Sequence, residues 1–153
     1  MKSHVMAAAA LAALTAVAID HPVATADRLA SDRFTLVENG RPAAKIVVEC
    51  DEPAVKIAAS NLDADFERVT GERTSADSRR AIVVRIDPAL NGKRETYVMK
   101  VTPDAIVVSG SDRRGAVYGI YELSEQIGVS PWYDWADVPI RRKAKSGEKF
   151  ALH

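Results

Sequence analysis

Residues Ser109–Pro139 read SGSDRRGAVYGIYELSEQIGVSPWYDWADVP, and this stretch decides the fold. It holds five of the nine aromatic residues, both tryptophans and four of the eight glycines, which sets it apart from the rest of the chain. An apolar, strand-like run, Ala105-Ile106-Val107-Val108, leads into it. Ser109, Gly110, Ser111 and Asp112 then offer short polar side chains suited to capping a helix. From Ala116 the apolar residues Val117, Ile120, Tyr121, Leu123 and Ile127 fall at the three-and-four spacing of one buried helix face, and Gly128 supplies the stop. Pro131 is expected to release the chain into an extended aromatic segment. The order is strand, tight loop, helix.

Upstream, Phe34-Thr35-Leu36-Val37 and Lys45-Ile46-Val47-Val48-Glu49 read as two strands joined through Asn39-Gly40, a favoured hairpin turn, with Pro42 making the pairing imperfect. Asp51 and Glu52 before Pro53 form an N-cap and first-turn arrangement. Val55, Ala58, Ala59, Leu62, Phe66 and Val69 mark a helical stripe that ends at Gly71. Asp63, Asp65 and Glu67 fall mostly off the stripe and read as a solvated face. Arg73 to Arg80 is a polar loop. Ala81-Ile82-Val83-Val84-Arg85-Ile86 is a β-branched run of the kind found in a strand covered on both faces. Glu95 to Val101 and Ala105 to Val108, punctuated by Thr102-Pro103-Asp104, read as a hairpin. Two strands, a helix, three strands and a helix predict an α/β (α+β-like) two-layer sandwich, a mixed β-sheet with two main helices packed on it.

The ends differ from this body. Residues 1–26 read as a signal peptide: Lys2 and His4, the apolar run MAAAALAALTAVAI, then the small-x-small Ala24-Thr25-Ala26. The apolar core is shorter than the roughly 20 residues of a membrane-spanning helix. The expectation is export to the periplasm or exterior, with no membrane span after signal removal. Residues 27–139 form the domain, and residues 140–153, where Arg141, Arg142, Lys143, Lys145 and Lys149 face only Glu148, read as a linker or tail. The 21 basic and 21 acidic residues balance, and losing Lys2 and Asp20 with the signal keeps the charge at zero, so no strong field favours nucleic acid. Cys50, the sole cysteine, excludes an intrachain disulfide and reads as a small buried thiol at a strand end.

Chemistry is bounded by what is missing. His4 and His21 lie in the presumed signal, which leaves only the last residue, His153. A Ser-His-Asp or Cys-His centre as ordinarily built is excluded. One cysteine and one terminal histidine cannot furnish a usual zinc site, so no metal or other cofactor is expected. Gly110 to Gly115 has phosphate-loop spacing, but Ala116-Val117 stands where that loop needs Lys then Ser or Thr. Asp134 and Asp137, set among Trp132, Tyr133 and Trp135, could in principle be a carboxylate pair beside sugar-stacking rings. Alternatively, those rings cover a sheet edge or pack against a following domain. Arg113 and Arg114 oppose the helix dipole where they stand. They could hold an anion such as a uronate carboxylate with the backbone N–H groups of Gly110 to Asp112, pair with Glu38 or Asp137, or fix a neighbouring domain.

The wording GSDRRGAVYGIYELSEQIGVSPWYDWADVP resembles the N-terminal domain of glycoside hydrolase family 115, the xylan α-glucuronidases. A glycine followed by Tyr118-Gly119 and an amphipathic helix is also similar to the small domain preceding the barrel in β-hexosaminidases. Strand KIVVE, the helix ending in ERVTG and strand AIVVRI extend the first resemblance over most of residues 27–139. It implies an enzyme that removes glucuronic or 4-O-methylglucuronic acid from xylan, with its catalytic carboxylates in a barrel absent here, so no catalytic residue carries over. Asp134 departs from the family's WYWWADVP-like string, where a third large aromatic is expected. The expected role is therefore a non-catalytic N-terminal domain whose partner is the catalytic barrel, with Trp132, Tyr133 and Trp135 as interface anchors. An autonomous carbohydrate-binding module, taking xylan or a uronic-acid oligosaccharide through these rings and Arg113 and Arg114, is the competing expectation. An active small hydrolase is the third.

Overall fold

A computed structural model describes residues 34–130, 132–136, 138–140 and 149–152. The chain runs β1 (Phe34–Glu38), β2 (Arg41–Pro42), β3 (Ala44–Val48), α1 (Pro53–Thr70), β4 (Arg80–Ile86), a 3-10 turn (Pro88–Leu90), β5 (Tyr97–Val101), β6 (Ala105–Gly110), α2 (Arg113–Ile127), a short helix α3 (Tyr133–Ala136) and β7 (Lys149–Leu152). The main sheet has the order β3-β4-β6-β5; β3, β4 and β6 are parallel, and β5 is antiparallel to β6. Parallel neighbours need a long crossover. The β3-to-β4 connection is α1, whereas β4 reaches β6 by way of the edge strand β5.

Register separates the two sheet faces. Ile46, Ile82 and Ile106 share one row and Val48, Val84, Val108 and Met99 the next. This face packs under both helices, and Ile82, Val84, Ile106 and Val108 are fully buried there. Against them α1 brings Val55, Ala58, Leu62 and Phe66, and α2 brings Ala116, Ile120, Leu123 and Ile127. Val47, Val83 and Val107 lie on the opposite face and are only half-buried. Among the described residues, the β-branched run of β4 is thus covered by helices on one side only, an α+β sandwich of two layers. Lys45 on β3 and Lys100 on β5 belong to the open face of the two edge strands, where charge discourages edge-to-edge pairing.

Several expectations are revised. Asn39-Gly40 does turn a hairpin, with φ of 53° and 78°, but β1 pairs with the two-residue β2 (Glu38↔Arg41, Val37↔Pro42). Pro42 has no N–H to continue that ladder, and after the Ala43 N–H to Leu36 O bond (2.8 Å) the chain leaves for the main sheet. The stretch read as a tail supplies β7, which pairs antiparallel with β1 to complete a small β2-β1-β7 sheet. Its alternation, Lys149-Phe150-Ala151-Leu152, is too short to stand out beside the preceding cations. The aromatic segment after Ser130 is a helical turn, closed by Tyr133 N–H to Ser130 O and Ala136 N–H to Trp132 O, both 2.9 Å.

On α1, the side chains of Asp51 and Glu52 do not cap the helix; Asp51 pairs with Lys56 instead, and the Glu52 carbonyl accepts from Val55 and Lys56. The acids of this helix are not one solvated face either. Asp65 is 5% exposed and bound to Arg68 at 2.5 Å. Asp63 accepts from the Thr74 backbone and hydroxyl at 2.9 and 2.6 Å, pinning the following loop. Glu67 holds Arg73 at 2.8 Å. Cys50 is a free, half-buried thiol packed against the core.

Candidate functional site

Asp112 organises the start of α2. One carboxylate oxygen accepts the Gly115 N–H (2.8 Å) and the other the Glu95 N–H (2.9 Å). Glu95 sits at φ 57°, in the left-handed region, and its own carboxylate takes Arg114 at 2.7 Å. Ser111 and Thr96 bind each other twice: Ser111 N–H to Thr96 O at 2.8 Å, and Thr96 N–H to Ser111 Oγ at 3.0 Å. The loop before β5 is therefore tied to the helix N-terminus, which lets α2 settle on β5 and β6.

This arrangement locates the predicted arginines. Arg114 is held by Glu95, rather than by the Glu38 or Asp137 that sequence reading offered, and Arg113 is exposed without an ion pair among the described residues. The Ser111 and Gly115 N–H groups are already bonded. The anion at this helix end is the protein's own Asp112. The backbone N–H groups of Glu95 and then Gly115 hold its carboxyl below the ordinary aspartate range. Replacing it with Ala removes the cap and strands the Glu95 N–H. Asp112→Ala is expected to lower Tm by roughly 5 °C at neutral pH. A group with a depressed native pKa contributes stability above its unfolded value, near 4 for aspartate, and loses it as pH falls through the native pKa. The gap between wild type and D112A in thermal melts should accordingly close on acidification.

The aromatic residues divide. Tyr133 packs against the core with the Arg68 guanidinium over its ring, 5.3 Å from the centroid. Trp132, beside it, is 66% exposed. Trp135 and Asp134 lie on α3, and Asp137 lies outside the described residues. The α1 and α2 helices add exposed groups that sequence reading missed. Ile57 on α1 is 63% exposed and Tyr118 on α2 is 46% exposed. Tyr121, expected in the core, is on the outer side of α2, its hydroxyl accepting from Asn61 Nδ2 of α1 at 3.2 Å. The available signal was phase: Tyr118 and Tyr121 lie one turn apart and fall opposite the Ala116, Ile120, Leu123 and Ile127 face. Ile57, Asn61, Tyr121 and Tyr118 thus form an exposed, partly aromatic band along the α1/α2 seam. Among the described residues no group of three or more His, Cys, Asp or Glu could hold a metal ion, and no helix is long and apolar enough to cross a membrane.

Comparison with known proteins places this architecture. The family model for glycosyl hydrolase family 20, domain 2 matches residues 10–130. Among solved structures, the chain is similar to a family GH115 4-O-methyl-α-glucuronidase with specificity for decorated arabinogalactans: 30% identity, TM-score 0.61, 78% of this chain and 18% of that one. It is also similar to a GH138 enzyme targeting pectin rhamnogalacturonan II, at 22% identity and TM-score 0.44, covering 54% of this chain and 9% of that one. No curated protein matches. The chain spans under a fifth of the length of the glucuronidase.

Proposed function

The chain belongs to the glycosyl hydrolase family 20 domain 2 family, and from that membership we propose that it is the non-catalytic N-terminal domain of a larger, exported glycoside hydrolase. Its catalytic domain would remove glucuronic or 4-O-methylglucuronic acid from a plant polysaccharide such as xylan. The observation that carries the reading is the family match over residues 10–130, and the exposed band on the helix pair offers a face for a neighbouring domain. Ile57, Tyr118 and Tyr121 are large side chains left exposed on two packed helices, and grouped exposed apolar residues mark interaction surfaces. Large, low-entropy side chains in such a place suit a protein neighbour. The catalytic domain of the same enzyme is the occupant proposed for this face, since the chain covers only 18% of the glucuronidase it resembles.

The test is hydrolysis of glucuronoxylan, with released uronic acid measured for the purified chain and for a longer product of the same coding region that includes a barrel. Activity confined to the longer product is expected. Release of uronic acid by the short chain alone would overturn the assignment and direct attention to Asp134 and Asp137. Trp132 provides a second check. Its ring is mostly in solvent, so W132A should shift the Tm of the isolated domain by no more than about 2 °C, as surface replacements do. A large loss of thermal stability would place the ring in this domain's own core.

A further inference from the structure

Two Asn-Gly pairs occur in the chain, Asn39-Gly40 and Asn91-Gly92, and the fold treats them differently. We propose that Asn91-Gly92 is a site of spontaneous covalent modification, converting to isoaspartate and aspartate, while Asn39-Gly40 is protected. In this reaction the Gly92 backbone nitrogen loses its proton and attacks Asn91 Cγ. The new N–C bond closes a five-membered succinimide as the Cγ–Nδ2 bond breaks and ammonia leaves. Water then opens the ring at either carbonyl, exchanging a neutral amide for a carboxylate. Glycine favours the attack because no Cβ shields the nitrogen or restricts its approach.

Ring closure requires the asparagine to swing its backbone about ψ, and the two sites resist that swing unequally. Asn39 and Gly40 form the turn of a hairpin whose arms are paired on both sides, Glu38↔Arg41 and Val37↔Pro42, with Leu36 and Val37 anchored in the core and β1 also paired to β7. Turning Asn39 disrupts that pairing. Asn91 and Gly92 are both exposed. Asn91 has φ −56° and ψ 140°, and the Gly92 N–H has no acceptor among the described residues. The local restraints are the Asn91 N–H to Pro88 O bond (3.1 Å) and a long Lys93 N–H to Leu90 O bond (3.3 Å). Exposed loops of this kind open at far lower cost than paired, core-anchored backbone. A cation follows the glycine directly at both pairs, Lys93 here and Arg41 at the other, so the fold rather than neighbouring charge separates the two sites. The isoaspartyl product lengthens the main chain just ahead of Glu95, whose position depends on Asp112.

The experiment incubates the folded protein in mildly alkaline buffer and maps isoaspartate by proteolysis and mass spectrometry. Conversion at Asn91 is expected to run roughly tenfold faster than at Asn39, the difference in local opening cost. In denaturant the two rates should converge, which separates the effect of fold from that of neighbouring sequence. N91Q should abolish the fast component and leave the slow one. Equal rates in the folded protein, faster conversion at Asn39, or no conversion at either site overturns the proposal. None of these readouts depends on the glycosidase assignment.

Discussion

Valine in place of Gly119 is expected to cost about 3 kcal/mol, because a β-branched side chain must be accommodated where no Cβ fits. A Cβ at this position would lie 2.4 Å from Val108 Cγ1 and 3.1 Å from the Tyr97 ring, so α2 could stay helical only by lifting away from β5 and β6. Helix propensity pulls the other way, since alanine is favoured over glycine by about 1 kcal/mol in a helix interior. The balance therefore depends on what must move. For G119A the obstacle is a side-chain methyl rather than backbone, and with one added carbon a net loss smaller than that of G119V follows. At Gly115 the obstacle is the Thr96 carbonyl oxygen, 2.1 Å from the added Cβ, on a backbone fixed by two hydrogen bonds to Ser111. G115A should thus cost more than G119A although both add one carbon. Thermal or denaturant unfolding of the three variants tests the order G119V and G115A below G119A, and an unchanged G119V would sink the close-packing account.

The same contact shows which parts of the fold were legible in the sequence. Local pattern was enough for the α1 stripe from Val55 to Val69, the Gly71 and Gly128 stops, the β5–β6 hairpin and a cap among Ser109, Gly110, Ser111 and Asp112, of which Asp112 is the one that caps, because each follows from a local spacing or a local backbone requirement. Partner choice was not local. Nothing within Lys45–Val48 distinguishes pairing with β1 across a good Asn-Gly turn from pairing in parallel with β4, and the second won because α1 can close the crossover and bury both its stripe and the sheet beneath it. The one-sided coverage of β4 was hidden by its composition: Val83 and Ile82 look alike in sequence, yet register sends them to opposite faces. Adjacency to Ile120 misled at Tyr121, whose helical phase turns it towards Asn61 and solvent. Asp65 was missed for the converse reason. It lies at a core-facing position of α1, tolerable only because Arg68 is three residues on.

That pair yields the second large effect. Removing the Arg68 side chain is expected to destabilise the domain by about 2 kcal/mol, less than the 3–5 typical of a fully buried pair because the guanidinium keeps some access to water. The Arg68 side chain is 38% exposed against 7% for Asp65, so R68A leaves a nearly buried carboxylate without its cation and uncovers one face of the Tyr133 ring. If the loss comes chiefly from the stranded charge, taking both charges away should restore much of it. Asp65→Leu with Arg68→Met removes both charges and keeps an unbranched apolar stem at position 68, and replacing a pair by well-packed apolar groups is often near neutral. Denaturant unfolding of D65L, R68A and the D65L/R68M double variant distinguishes the possibilities. A double variant close to wild type, with R68A far below it, identifies Asp65 as the group that must be neutralised. A double variant as unstable as R68A would mean that the guanidinium's hold on Tyr133, and through it the placement of α3 beside Trp132, is what the pair contributes.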